Sequence, residues 1–243
     1  MSLVIDRVHC GPPESGNGGW TAGLLAQRLL PDGSDRAVEV RLSSPPPLDR
    51  ELEVNLTRDR AELLDGPHLV ASAHLTPPPE LDPVEPATPA EAALAEDRFE
   101  GWSDHVFPSC FACGTDRSPE EALCLRPGPM ADGTGRYAAR WTPREASVPL
   151  VWAALDCPGG WASGVAGRPM VLGSMTAQVH ALPTPGEGHV ITSWQLASEG
   201  RKHFSASMLH AAGGQLCAVA TAIWIAVHPQ SVRPVGHQAG DGR

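Results

Sequence analysis

The residues that could do chemistry are few. Asp156 is the only acid of an apolar stretch beginning at Leu150, a costly place for a charge without a partner or a task. In the other half of the chain, Asn17-Gly18-Gly19 opens a second apolar stretch, Trp20–Leu30, which has no acid. A helix start presents unsatisfied N–H groups and a partial positive charge, which stabilise a carbonyl oxygen under attack. Gly at that place lets a substrate approach the backbone closely. A buried carboxylate facing it can attack the carbonyl or activate water. Blander readings stay open: Asp156 capping the turn Cys157-Pro158-Gly159-Gly160, and the Gly pair as a flexible helix entry.

Cys110 and Cys113 have a C-x-x-C spacing, with His105 and Cys124 as loose further metal ligands. A zinc signature needs a second well-spaced pair. The expectation is therefore a metal-free, reduced turn with two small buried thiols, before the first strand of the second half. Trp20, Trp152 and Trp161 read first as core, His9 and Glu14 as a solvated loop, and His180, His203 and His210 as sheet residues. Arg201-Lys202 and Arg58/Arg60 fall at hairpin ends.

The elements that would position these groups fall into two halves of similar grammar. In the first, Leu3–Cys10 alternates like a strand, and the apolar helix Trp20–Leu30 is closed by Pro31-Asp32-Gly33. Strands at Ala37–Ser43, Glu51–Thr57 and His68–Leu75 follow, with a bend at Pro45–Pro47 and a turn at Asp65-Gly66. In the second, strand Arg136–Trp141 precedes an apolar helix, Leu150–Leu155, with Pro158-Gly159-Gly160 after it as a candidate interruption. Strands at Val171–Ala181, His189–Ala197, Lys202–His210 and Gln215–Val227 follow, with a bend at Pro183/Pro185. A helix that is apolar nearly all round must be buried on most sides. A curved antiparallel sheet wrapping each helix does this, and two such units can join sheets edge to edge.

Between the halves lies a Pro-rich acidic connector with a capped helix start, Thr88-Pro89 with Glu91 completing a capping box. The division is 1–75, a connector 76–104, 105–228 and an irregular tail 229–243. The connector carries 1 basic and 8 acidic residues, most of a net charge of −10. Lys202 is the only lysine, and an acidic chain is a poor nucleic-acid binder. With 42% hydrophobic residues in 243, a sizeable core is affordable. No apolar run suits a membrane span and six irregularly spaced cysteines make no disulfide framework, so the expectation is a cytoplasmic protein.

The run Cys110-Phe111-Ala112-Cys113-Gly114, then Leu123/Leu125, a strand and a helix bearing Leu155-Asp156, resembles the hotdog-fold acyl-CoA thioesterases. The first half, with Asn17-Gly18-Gly19-Trp20 and the Pro-bend meander, is similar to the N-terminal half of double-hotdog members. The resemblance implies an α+β double hotdog, with two antiparallel sheets each wrapped around one central apolar helix. It implies a thioester hydrolase without a cofactor, acting on acyl-CoA or acyl-carrier thioesters, and further pairing into a homodimer.

Single-hotdog members begin the helix His-Gly-Gly and place the carboxylate nine residues after the His. Nine residues after Asn17 stands Ala26; nine before Asp156 stands Ser147, followed by Val148 and Pro149. Each half thus lacks what the other keeps. Carried over, the resemblance implies one asymmetric site, Gly18 and Asn17 with Asp156, and a dead reciprocal site at Val148. Gly19, Trp20, Arg201 and Lys202 are the implied substrate-binding residues. The departures are Asn17 and Ser147 in place of His, Gly160 where some members have a hydroxyl, and Leu172 and Ala222 at the Thr and Gln positions of medium-chain enzymes. The alternative is a non-catalytic acyl-CoA-binding or scaffold protein on the same fold.

Overall fold

A computed structural model describes residues 1–30, 36–82 and 84–228. The first half contributes β1 (Ser2–Val4), α1 (Gly18–Ala26), β2 (Ala37–Leu42), β3 (Glu51–Leu56), β4 (Arg60–Asp65) and β5 (His68–Thr76). After α2 (Pro89–Glu96) come β6 (Gly128–Pro129), β7 (Tyr137–Trp141), α3 (Val148–Ala162), β8 (Met170–Val179), β9 (His189–Glu199), β10 (Lys202–Ala211) and β11 (Leu216–Ala226). The sheets expected around the two helices run on, edge to edge, as one continuous antiparallel sheet, ordered β1-β3-β4-β5-β2-β8-β11-β10-β9-β7-β6. The seam is β2 against β8, with Val40 opposite Met175. Outward from it the order is β2, β5, β4, β3, β1 on one side and β8, β11, β10, β9, β7 on the other. The same succession therefore occurs twice.

Both apolar helices are buried, as their lack of a polar face requires. Helix α1 starts earlier than the pattern suggested, at Gly18, because the Asn17 side-chain oxygen accepts the Trp20 N–H at 2.8 Å and caps it. It ends at Ala26, short of Leu30; the closing Pro31-Asp32-Gly33 lies outside the described residues. Helix α3 is much longer than Leu150–Leu155. Ser147 caps it, and it runs through Pro158-Gly159-Gly160 instead of being interrupted. An interior Pro costs about 3 kcal/mol, but Pro149 through Trp161 are all buried, and burying side chains such as Leu155 and Trp161 outweighs it.

The two helices lie side by side in opposite senses, and glycines set how closely. A Cβ on Gly19 would stand 2.5 Å from Asp156 Cβ and 2.6 Å from the Trp152 carbonyl oxygen. On Gly23 it would stand 2.6 Å from Pro149 Cα. One turn apart, these two positions let α1 press its backbone against α3.

The connector's capping box forms as its sequence requires: Glu91 N–H reaches Thr88 Oγ1, and Glu91 Oε2 accepts the Thr88 N–H at 2.8 Å. Its helix is more than a surface bridge. Ala92 and Ala95 are fully buried with Ala138 and Val190, and Glu96 accepts the Arg140 backbone N–H at 2.6 Å. In the first half, strand character ends at Val4 and a 3-10 turn follows, not a strand to Cys10. Strand β4 was not anticipated, because Arg60–Asp65 carries no β-branched residue.

Candidate active site

Asp156 sits on α3, 2% exposed, and its Oδ2 accepts the Gly19 N–H of α1 at 2.9 Å. The amide that meets the acid is therefore Gly19, not Gly18. Oδ1 of Asp156 is buried without a hydrogen-bond partner. Burial pushes the carboxyl up from 3.8 to about 7, partly opposed by the Gly19 N–H. Gly18, the first residue of α1, has an N–H that no intrahelical carbonyl can take and that no other protein acceptor takes among the described residues.

Gly18, Asn17 and Asp156 line one cavity of about 240 Å³. Its walls come from both halves: Pro45 and Pro46 of the first Pro bend, Met170 and Leu172 of β8, Trp224 of β11, and Phe107. Gly16 N–H on the Pro46 carbonyl at 2.8 Å ties the bend to the entry of α1. The lining is mostly apolar, and the helix start and the carboxylate are among its polar groups, with Ser15, Ser43 and Ser44.

Two of the positions noted as departures, Leu172 and Gly160, lie in tight packing. Leu172 packs over the helix start, so that a Cβ on Gly18 would lie 2.8 Å from Leu172 Cβ. Gly160 lies beneath the Trp224 ring, where a Cβ would come within 2.9 Å of it. The space a hydroxyl would use is filled by indole. Trp224 was missed by sequence reading; its buried indole N–H lacks an acceptor and its ring lines the cavity. A Trp in a half-buried strand gives no signal that separates it from core.

The remaining candidates divide. Asn17 lines the cavity, but its oxygen is committed to the Trp20 N–H and its amide points at the Cys110 and Cys157 sulfurs, 3.7 and 3.9 Å away. Gly19 is buried between the helices. Trp20 does not line this cavity: its ring stacks on His9 at 3.7 Å and 4°, with Phe111 edge-on. Arg201 and Lys202 lie outside it, at the exposed β9–β10 turn, yet next to its rim. Lys202 pairs with Ile225, a lining residue, and the Arg201 carbonyl accepts the Ala226 N–H. At the mirror position, Ser147 Oγ accepts the Leu150 N–H and Ala26 is fully buried.

Cys110 and Cys113 form the expected turn, with the Gly114 N–H on the Cys110 carbonyl at 2.8 Å. A third thiol, Cys157 of α3, joins them; all three are free and buried. Hydrogen bonds with Cys113 and Cys157 hold the Cys110 thiol below its usual range, while those two are pushed up. Cys124 is elsewhere, its sulfur on the Arg117 carbonyl.

No family model matches the chain, and no curated protein matches it. Solved structures do. A protein of unknown function with hot dog fold from Alicyclobacillus acidocaldarius matches with a TM-score of 0.62 and 12% identity, over 94% of this chain and 93% of that one. An acyl-CoA thioesterase II from Mycobacterium marinum matches with a TM-score of 0.61 and 11% identity, over 93% and 91%. A TesB protein of Mycobacterium avium subsp. paratuberculosis matches with a TM-score of 0.57 and 13% identity, over 88% of each chain. The fold is that of the hotdog thioesterases. At these identities the likeness reaches the hotdog architecture and stops there. Among the described residues, no helix is long and apolar enough to cross a membrane.

Proposed function

We propose that this protein is a hydrolase of acyl-CoA or acyl-carrier thioesters with one asymmetric active site, built by two hotdog units (1–75 and 105–228) in a single chain. The observation that carries the reading is the meeting of Asp156 from one half with the start of α1 from the other, in the wall of an apolar cavity. The Gly18 N–H polarises the thioester carbonyl, helped by the dipole of α1. Oδ1 of Asp156 takes a proton from water, whose oxygen adds to the carbonyl carbon. The C–S bond then breaks, and the departing thiolate recovers that proton. Gly19 fixes the carboxylate through Oδ2, leaving Oδ1 for the chemistry. Asn17 acts as a positioning residue through the cap. Arg201 and Lys202, beside the rim, suit the phosphates of a coenzyme A carrier.

The test is a panel of acyl-CoA and acyl-N-acetylcysteamine thioesters with a thiol-detecting reagent, comparing wild type with Asp156→Asn. Loss of a general base predicts a fall in kcat of about 100–10,000-fold with acyl-CoA binding retained. Asn17 in place of His, and the missing Thr and Gln, favour the alternative of an acyl-CoA binder without turnover. Wild-type hydrolysis by Asp156→Asn, or binding with no hydrolysis in any member of the panel, would transfer the assignment to that alternative.

A further inference from the structure

The cysteine cluster is unused by the proposed hydrolysis, and its geometry is specific. The sulfurs of Cys110, Cys113 and Cys157 all lie within 4.8 Å of one another, with Cys110 and Cys157 3.7 Å apart. Three sulfurs at Zn–S distances of about 2.3 Å on a tetrahedron stand about 3.8 Å apart. The Cys110–Cys113 turn is a tight knuckle: a Cβ on Gly114 would lie 2.4 Å from the Pro108 carbonyl oxygen and 2.5 Å from that of Cys110. Donors converge on the sulfurs. The backbone N–H groups of Ala112 and Cys113 face Cys110, the Trp161 indole faces Cys113, and the Asn17 amide faces Cys110 and Cys157. Thiols packed merely as small hydrophobes have no need of such donors, whereas metal-bound thiolates do.

From this convergence we infer that Cys110, Cys113 and Cys157 form a binding site for one thiophilic, tetrahedral cation of the zinc type. The soft donor set disfavours magnesium and calcium. His105 and Cys10, the nearest His and Cys, are not free to complete it. His105 accepts the Phe107 N–H at Nδ1, so Nε2 carries the proton and donates it to the Cys113 carbonyl at 3.1 Å. Cys10 points its sulfur at the Ser109 carbonyl. Cys110 and Cys157 line both the main cavity and a smaller one of about 40 Å³ behind it, so the fourth ligand comes from these spaces. The ion would pin the Cys110–Cys113 knuckle to α3, next to the cavity that the proposed substrate enters. Sequence reading took the C-x-x-C pair as metal-free because it had no second pair; the fold supplies a single thiol from 44 residues further along the chain.

The experiment uses tag-free full-length protein, stripped with a chelator under reducing conditions, incubated with zinc or cobalt(II) and desalted. The expected result is about one ion retained per chain by elemental analysis. The cobalt form should show thiolate-to-metal charge transfer in the near ultraviolet and the intense visible bands of tetrahedral coordination. Zinc should raise the melting temperature of wild type and of the control Cys124→Ser, but not of Cys157→Ser. No retained metal, a cobalt spectrum without thiolate charge transfer, or equal retention by Cys157→Ser would overturn the site. So would a Cys110–Cys157 disulfide that persists in protein kept under reducing conditions. Should Cys157→Ser fail to fold, the wild-type cobalt spectrum decides alone. None of these readouts depends on hydrolysis, so this inference and the hydrolase reading fail separately.

Discussion

Gly19→Ala probes the contact on which the site depends. In an exposed helix the change would stabilise by roughly 1 kcal/mol through propensity alone. Here the new Cβ would stand 2.5 Å from Asp156 Cβ, 2.6 Å from the Trp152 carbonyl oxygen and 3.0 Å from Ala153 Cα. Carbon contacts are comfortable at about 3.5–4.0 Å, so α1 and α3 must separate by roughly 1 Å. Overpacking of this kind costs about 1–3 kcal/mol, and two of the three obstructing atoms are backbone, which no rotamer change can move. For contacts this short the cost lies at the upper end, about 3 kcal/mol, and subtracting the propensity gain leaves a net loss of about 2 kcal/mol, a fall in Tm of about 4–8 °C for a chain of this size. The same separation lengthens the 2.9 Å Gly19–Asp156 hydrogen bond. Gly18→Ala is the control: its obstructing atoms belong to the Leu172 and Leu42 side chains at the cavity wall, so its loss should be smaller. Thermal and urea unfolding of both variants measure this. A Gly19→Ala protein as stable as wild type, or more so, would refute the close approach of the helices and with it the placement of Asp156.

Gly18→Pro deletes the N–H assigned to the carbonyl, and comparison with Gly18→Ala, which adds the same Cβ, should isolate about 100–1,000-fold in kcat; equal rates for the two would remove Gly18 from the chemistry. His9, stacked on Trp20, is held by burial at a pKa of about 4, below its ordinary 6.5. The unfolded chain then binds the extra proton between these values, so stability falls as pH drops from 6.5 toward 4 and is level above. His9→Phe should flatten that part of the Tm–pH curve, and parallel curves would contradict the assignment. Arg201→Ala and Lys202→Ala should each raise KM for acyl-CoA up to about fivefold, less at high salt, and leave acyl-N-acetylcysteamine unchanged; an equal effect on both substrates would place the basic pair away from the carrier.

Much of the fold was legible in local patterns. Alternation and turn residues marked eight of the strands to within a few residues, because side-chain direction in a strand has period two and is written along the chain. Thr88-Pro89 with Glu91 marked the start of α2 because a capping box is satisfied within four residues. Two runs without a polar face required two buried helices. The division of the helix-start Gly pair and the acid between the halves also stood in the sequence, and the structure brings Asn17, Gly18 and Asp156 to one cavity. What the chain's pattern did not contain was depth, rotation and partners across long separations. Pro158 looked like a helix stop until the space beneath Ser205 and Trp224 could be seen to hold the two glycines after it. Successive residues of a helix point about 100° apart, so whether Gly18 or Gly19 meets Asp156 is set by how α1 rolls against α3, and Gly19 and Gly23 fix that roll. The rise of the Asp156 pKa to about 7 comes from burial, a property of the packed sheet and helices around it. Cys157 meets Cys110 for the same reason: only the closing of the second half over α3 brings residues 47 apart in sequence to 3.7 Å.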